Sequence, residues 1–142
     1  MTTPDYISKN CAALRTRKAA RIVSRYYDET LRPLGIKNTQ LSLLVAIKVG
    51  APDSISAFAD RMGIERTTLT RNLQLLAKKG FIEVGPEGYR RSRAMRLLPF
   101  GQATLEKALP LWQQAQDTIE DKLGDPHWQE AKASLDNLAN TL

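Results

Sequence analysis

The sequence is poor in the residues that carry covalent or metal chemistry. It has one cysteine and one histidine among 142 residues, which excludes an internal disulfide and argues against a zinc site built from His and Cys. A Ser-His-Asp arrangement would need His127, which lies in a segment that breaks the helical pattern. Neither a P-loop nor a glycine-rich dinucleotide turn is present. We therefore predict that the protein is not an enzyme and uses no metal or cofactor.

Long apolar runs are also missing. No stretch approaches the roughly 20 apolar residues that a membrane helix needs, and residues 1–5 lack the pattern of a signal peptide. The composition, 42% apolar and 25% charged, is that of a globular protein with enough material for a core. We expect one domain over residues 1–142, no membrane contact and, from the single thiol, a reducing cytoplasmic location.

Basic residues are concentrated in the middle of the chain. Residues 61–96 contain nine Lys/Arg and three Asp/Glu, a net charge of +6 that equals the charge of the whole chain. Residues 97–142 are acidic overall. A local basic block is typical of a phosphate-binding surface, but a solvated charged face gives the same count. Charge alone leaves both interpretations open.

Apolar spacing of three and four residues predicts long helices at both ends of the chain. One is expected over residues 5–32, and the last part of the chain, 99–142, is helical with a break at Gly124-Asp125-Pro126. Pro110 should kink the first of these C-terminal helices. A further helix is expected over 39–49, with Asn38 or Thr39 as its N-cap. The N-terminal helix has a broad apolar surface and needs a partner, either its own domain or a second subunit.

Two short helices follow, over residues 55–62 and 66–79, with Ser54 as the N-cap of the first. The segment Gly63-Ile64-Glu65 separates them, and a turn of about three residues with glycine is typical of a helix-turn-helix. The second helix has a polar face opposite its leucine stripe, on which lie Arg66, Thr67, Thr70, Arg71 and Gln74. Arginine can bond to guanine and glutamine to adenine, while Thr67 and Thr68 lie near the helix N-terminus, where phosphate is favoured.

A β-hairpin is predicted after the second helix. Residues 81–84 read as a strand, 85–88 as a turn and 95–97 as the returning strand. The tip and the return arm carry four arginines: Arg90, Arg91, Arg93 and Arg96. A β-ribbon with arginines at its tip is typical of a wing that enters a minor groove or holds phosphates, and a solvated hairpin is the alternative.

These motifs resemble the MarR (multiple antibiotic resistance regulator) family. The resemblance covers nearly the whole chain and is carried by residues 31–36, 66–73, 80–82, 90–93 and 97–101. It implies a mainly α fold: a winged helix-turn-helix lobe over residues 38–98 and long dimerisation helices over 5–34 and 99–142. It also implies a homodimeric bacterial transcriptional regulator, a repressor that binds a pseudo-palindromic operator in double-stranded DNA and is released by a small-molecule or oxidant signal.

The resemblance also implies site residues. Arg91 corresponds to the wing arginine that enters the minor groove, and Thr67, Thr70 and Arg71 correspond to major-groove or phosphate contacts. The predicted DNA-binding set is Ser56, Arg66, Thr67, Thr68, Thr70, Arg71, Gln74, Arg90, Arg91 and Arg93. The chain departs from the family at Tyr89, where an aspartate normally pairs with the wing arginine, and Glu87 is a candidate substitute.

Smaller signals concern regulation. Cys11 lies in the first helix, as the sensor cysteine of peroxide-sensing members of the family does, and Arg15 and Lys18 could favour its thiolate; a small buried interface residue is the other interpretation. Effectors of the family often bind between the dimer helices and the winged lobe, where Arg15, Arg25 and Tyr26 could meet an anionic aromatic. Two other functions stay open: a protein-binding module that does not bind DNA, and an RNA-binding protein. RNA is disfavoured because the major groove of an A-form duplex is too narrow for a recognition helix.

Overall fold

The computed structural model describes all 142 residues. Its elements are α1 (Pro4–Asn10), α2 (Ala12–Leu31), α3 (Asn38–Val49), α4 (Ile55–Met62), α5 (Arg66–Lys78), β1 (Ile82–Val84), β2 (Met95–Leu97), α6 (Pro99–Leu123) and α7 (Asp125–Thr141), with a 3-10 turn at Arg32–Leu34. The predicted fold class is confirmed: the chain is mainly α, with one two-stranded antiparallel hairpin.

The prediction of one N-terminal helix over residues 5–32 was wrong. Cys11 adopts an extended conformation with φ −65° and ψ 117°, and it ends α1 and precedes α2. Its amide donates to the carbonyl of Ile7 at 2.9 Å, while its own carbonyl accepts from the amide of Arg15 at 3.2 Å. No proline or glycine accompanies this break, so the periodicity of the sequence did not reveal it.

The start of α3 is held by α2. The N-cap is Lys37 rather than the predicted Asn38 or Thr39, and the Gln40 side chain accepts the Lys37 amide at 2.9 Å. Asp28 of α2 accepts the Asn38 amide at 2.7 Å and its side-chain Nδ2 at 3.1 Å. A carboxylate from another helix therefore satisfies donors that a local cap would otherwise take.

The hydrophobic core lies at the centre of the lobe. It is formed by the last turn of α2, the inner faces of α3, α4 and α5, the start of β1 and the first half of α6. Its largest fully buried side chains are Phe58, Leu31, Leu43, Leu44, Leu69, Leu76 and Ile82. Leu69, Leu73 and Leu76 of α5 are buried on one side of that helix, so packing leaves its polar side facing outward.

The α4–α5 pair forms the predicted helix-turn-helix. Ser54 caps α4, as predicted, by accepting the amide of Ala57 at 3.1 Å. Gly63 ends α4 with φ 67°, a left-handed conformation that glycine adopts without strain. The Ile64 amide then donates back to the carbonyl of Ala59 at 3.0 Å, which turns the chain toward α5.

The hairpin has the predicted strands but a different turn. β1 and β2 pair Ile82 with Leu97, Glu83 with Arg96 and Val84 with Met95. The chain does not reverse at residues 85–88; it reverses at 89–92, where the Ser92 amide donates to the Tyr89 carbonyl at 3.1 Å. Both central residues have positive φ, 54° at Arg90 and 59° at Arg91, which corresponds to a type I′ turn.

The C-terminal part consists of two helices. The first, α6, is continuous from Pro99 to Leu123 with Pro110 inside it, and the kink expected at that residue stays a prediction. The proline removes one backbone donor, while Leu105 and Ala108 before it and Ala115 after it are buried and hold the helix in place. Gly124, with φ 84°, separates α6 from α7.

The terminal helices α1 and α7 are largely exposed within one chain. Neither α1 nor α7 contains a buried residue, and only 19 of the 142 residues are buried at all. Apolar side chains on these helices and on α2 and α6 are exposed, including Tyr6, Ile7, Leu14, Ile22, Val23, Leu109, Leu123, Leu135 and Leu138. No helix has the length and apolar character that crossing a membrane requires.

Candidate nucleic-acid interface

The outer face of α5 and the hairpin enclose an open cleft of about 590 Å³. Eight of the ten predicted DNA-binding residues line it: Ser56, Arg66, Thr67, Thr70, Arg71, Gln74, Arg91 and Arg93. Ser54, Ile55 and Glu87 complete the lining and were not predicted to do so. Residues far apart in sequence therefore form one surface, whose width is set by α5 on one side and the hairpin on the other.

The α5 side of the cleft presents side chains that are free to bind a ligand. Thr70, Arg71 and Gln74 are exposed and make no side-chain hydrogen bond or ion pair within the chain. Arg66 donates from Nη1 to the Ser56 hydroxyl at 3.2 Å, which connects α5 to α4. Glu65 precedes α5 without a side-chain cap, so the first amides of α5 remain available to an anion.

The hairpin side of the cleft is fixed to the rest of the lobe by backbone contacts. The Arg93 amide donates to the carbonyl of Asp53 at 2.6 Å, and Ser54 and Ser92 form an isolated β-bridge. The loop before α4 thus acts as a short third strand beside the hairpin. These contacts place Arg93 opposite α5, where its side chain is half-buried at the base of the cleft.

Two predicted DNA-binding residues lie outside the cleft. Arg90 is at the exposed tip, with its guanidinium carbon 5.2 Å from the centre of the Tyr89 ring, within the range of a cation–π contact. Thr68 is half-buried on the other side of α5, near Asp60 and Gly63 in the turn of the helix-turn-helix. Arg96, the fourth arginine of the predicted wing, forms an ion pair with Glu83 of the facing strand.

The cleft is strongly basic. Its lining contains four arginines, Arg66, Arg71, Arg91 and Arg93, and a single acidic residue, Glu87. Charge of one sign concentrated in a concave surface attracts polyanions and releases their counterions on binding. The dimensions, the free donors and the charge fit a phosphate backbone with an α-helix beside it in a major groove.

A second, apolar cavity of about 530 Å³ lies between α2, α3 and α6. It is lined by Val23, Tyr27, Asn38, Leu41, Ser42, Val45, Leu109 and Trp112. The Tyr27 hydroxyl donates to the Gln116 side chain, which in turn donates to Glu120 at 2.7 Å. Burial raises the pKa of Tyr27, and the charge of Glu120 and the neighbouring Tyr26 raise it further.

The residues predicted to bind an effector or to sense oxidants lie away from this cavity. Arg15, Arg25 and Tyr26 do not line it, although Tyr26 contacts Tyr27 edge-on with ring centres 6.3 Å apart. Cys11 is partly buried at the break between α1 and α2. The Arg15 guanidinium donates to the carbonyl of Lys9 in α1, across this break.

Solved structures of known proteins resemble this fold and identify the family to which the chain belongs. The transcriptional regulator MosR of Mycobacterium tuberculosis, solved in complex with DNA, is 38% identical to the chain, with a TM-score of 0.83; the match covers 93% of this chain and 96% of MosR. The MarR family model matches residues 34–92, from the turn before α3 to the tip of the hairpin. The chain belongs to the MarR family.

More distant MarR-family structures share the fold. A cysteine-to-serine variant of Escherichia coli MarR in complex with operator DNA is 20% identical, with a TM-score of 0.82 over 96% of this chain and 99% of that one. A MarR-family regulator from Rhodococcus is 15% identical, with a TM-score of 0.74 over 87% and 89%. Among curated proteins, no sequence is significantly similar to the chain.

Proposed function

We propose that this MarR-family chain is a homodimeric transcriptional repressor that binds a pseudo-palindromic operator and leaves it when a small molecule binds. The observation that carries the proposal is the cleft between α5 and the hairpin, where four arginines surround uncommitted threonine and glutamine side chains. In this interpretation α5 lies in a major groove, with Arg71 and Gln74 toward bases, and Arg91 reaches the adjacent minor groove. Such a protein acts where the chromosome is, in the cytoplasm.

The dimer is supported by the exposed apolar side chains of the terminal helices. A monomer would leave Ile22 55% and Leu135 56% exposed, together with neighbouring apolar residues on the same helices. Patches of this kind mark surfaces that bind protein. A second copy is the occupant that fits a regulator of this family, because a two-fold dimer presents two α5 helices to half-sites about one helical turn, roughly 34 Å, apart.

Affinity selection of fragments of the chromosome that encodes the chain tests the function directly. We expect the purified protein to enrich fragments with two inverted half-sites, beginning with DNA upstream of its own gene. An RNA duplex and single strands serve as competitors in the same assay. Preference for RNA, or binding to no nucleic acid, would instead favour the RNA-binding or the protein-binding alternative.

The cavity between α2, α3 and α6 is the proposed effector site. No Lys, Arg or His lines it, and the polar groups there are those of Tyr27, Asn38 and Ser42 beside the ring of Trp112. This chemistry favours a neutral aromatic ligand over the anionic one expected from Arg15 and Arg25, because a buried carboxylate would have no cation to pair with. A ligand in contact with Asn38 would disturb the hydrogen bond between Asn38 and Asp28, which joins α2 to the start of α3.

Tryptophan fluorescence with benzamide and benzoate tests this ligand class, because the two rings differ mainly in charge. The Trp128→Phe variant leaves Trp112 as the only tryptophan. Benzamide should quench this variant, and quenching should be lost when Val45→Phe fills the cavity. Stronger quenching by benzoate than by benzamide would contradict the assignment of a neutral ligand to this cavity.

Oxidant sensing through Cys11 is the second candidate signal. The observation that favours it is that Cys11 is a free thiol at the break between α1 and α2, where its side chain is partly exposed and so within reach of an oxidant. Peroxide should then release the parent from DNA and leave Cys11→Ser bound. Equal loss of binding in the two proteins would remove Cys11 from the signalling mechanism.

A further inference from the structure

Glu87 is the one acidic residue on the basic cleft, and it lies against the wing arginine. Its Oε1 is 3.7 Å from Nε of Arg91, and the two residues are four positions apart across the start of the turn. A carboxylate facing DNA normally weakens binding by repelling phosphates. A contribution of Glu87 to binding would therefore have to offset this repulsion.

The turn that carries Arg91 is conformationally unusual. Arg90 and Arg91 occupy the two central positions of a type I′ turn, with φ 54° and 59°. These positions favour asparagine and glycine, because a Cβ makes left-handed backbone unfavourable. Backbone hydrogen bonds close the turn, from the Ser92 amide to the Tyr89 carbonyl and from the Gly88 amide to the Ser92 carbonyl. Two side-chain contacts add to them: Arg90 lies over the Tyr89 ring, and Arg91 faces Glu87.

The geometry of the Glu87 contact leaves Arg91 able to bind DNA. The carboxylate approaches the Nε edge, so the two Nη groups keep their donors for acceptors on a nucleic acid. The Arg91 side chain is 86% exposed while Glu87 is 49% exposed. A carboxylate that competed with DNA would instead occupy the Nη groups in a bidentate pair.

We infer that Glu87 is a positioning residue for DNA binding, which holds Arg91 and its left-handed turn in the orientation that enters the groove. The inference rests on the proposed function, because it assumes that Arg91 contacts DNA.

The test is a double-mutant cycle on a duplex selected by the parent protein from a random-sequence pool, measured by fluorescence anisotropy. Glu87→Gln should weaken binding about two- to fivefold in the parent, although it removes a negative charge from the DNA-binding face. In the Arg91→Ala background the same change should strengthen binding, because only repulsion remains. Glu83→Gln, on the same hairpin but outside the cleft, is the control for charge and should not weaken binding.

The outcomes separate this inference from the proposed function. If Glu87→Gln strengthens or does not change binding by a parent protein that binds its duplex, Glu87 is not a positioning residue and the regulator function stands. If the parent selects no duplex, the proposed function fails, and the inference fails with it. The chemical shift of Arg91 Nε in ¹⁵N-labelled protein gives an independent readout, because it responds to the nearby carboxylate; it should change in Glu87→Gln and stay as in the parent in Glu83→Gln.

Discussion

The α-carbon of Gly101 packs against the carbonyl group of Phe81, so closely that a Cβ on residue 101 would lie 1.9 Å from that oxygen. The same oxygen accepts the Leu98 amide at 2.9 Å, and the Phe81 and Phe100 rings stack at 4.9 Å. The hairpin and α6 are thereby joined at one point, where β1 begins and where α6 leaves β2. This contact connects the part of the chain that faces DNA to the helix that extends toward the exposed apolar surface.

Gly101→Ala should lower the free energy of unfolding by about 3 kcal/mol, because neither the helix nor the Phe81 backbone can move away without losing buried contacts. Urea unfolding measures the change. Gly85→Ala is the matched control, since its Cβ would meet nothing nearer than 3.5 Å, and it should stay close to the parent. Equal stability of the two variants would show that the close approach at Gly101 relaxes at little cost.

Arg71→Ala should weaken binding to the selected duplex about tenfold or more, because the side chain has no partner within the chain and lines the cleft. If Arg71 contacts a base, the variant should discriminate less between bases at one position of the operator. If it contacts a phosphate, the slope of log affinity against log salt concentration should become smaller by about one. Lys132→Ala, an exposed cation on α7, is the control. Unchanged affinity in Arg71→Ala would exclude Arg71 from the interface.

Leu135→Asp should convert the dimer to a monomer and weaken operator binding with it, because a carboxylate would be buried in the proposed interface without a partner. Sedimentation velocity gives the assembly state. Ala133→Asp introduces the same charge on the opposite face of α7 and should leave the dimer intact. A monomeric parent, or a dimeric Leu135→Asp variant that binds DNA normally, would contradict this assignment of the interface.

Tyr27→Phe should lower stability by about 1 kcal/mol near neutral pH, because the Gln116 side chain loses its donor. The pKa of Tyr27 is raised above its ordinary value of 10.0, so the folded state holds this proton more tightly than the unfolded state does. The stabilisation is complete below pH 10 and is lost as pH rises through the folded pKa. The difference between parent and Tyr27→Phe should therefore narrow above pH 10, whereas exposed Tyr6→Phe should follow the parent throughout.

The sequence was informative where local pattern and function coincide. The spacing of Leu69, Leu73 and Leu76 predicted which side of α5 faces outward, and the density of arginines predicted that the hairpin presents basic side chains beside it. The rest depends on tertiary contacts. The helix break at Cys11 has no breaker residue, the Asp28 cap on α3 comes from another helix, and the Glu87–Arg91 contact required the turn to form at residues 89–92.

The residues of α2 that line the apolar cavity could not be predicted for the same reason. Position along α2 suggested Arg15, Arg25 and Tyr26, but which residues face a cavity depends on how α2 packs against α3 and α6. Tyr27 faces inward and Tyr26 outward, one step of 100° apart on the same helix. When a helix has apolar residues on several faces, their spacing does not show which face packs against the rest of the chain.

Binding to duplex DNA across a salt series tests the central claim most directly. The parent is titrated against the selected duplex and against a shuffled duplex of equal length, by fluorescence anisotropy. We predict tight binding to the selected duplex, at least about a thousandfold tighter than to the shuffled one, with affinity that falls steeply as salt rises. Equal, weak affinity for both duplexes at every salt concentration would contradict a sequence-specific regulator.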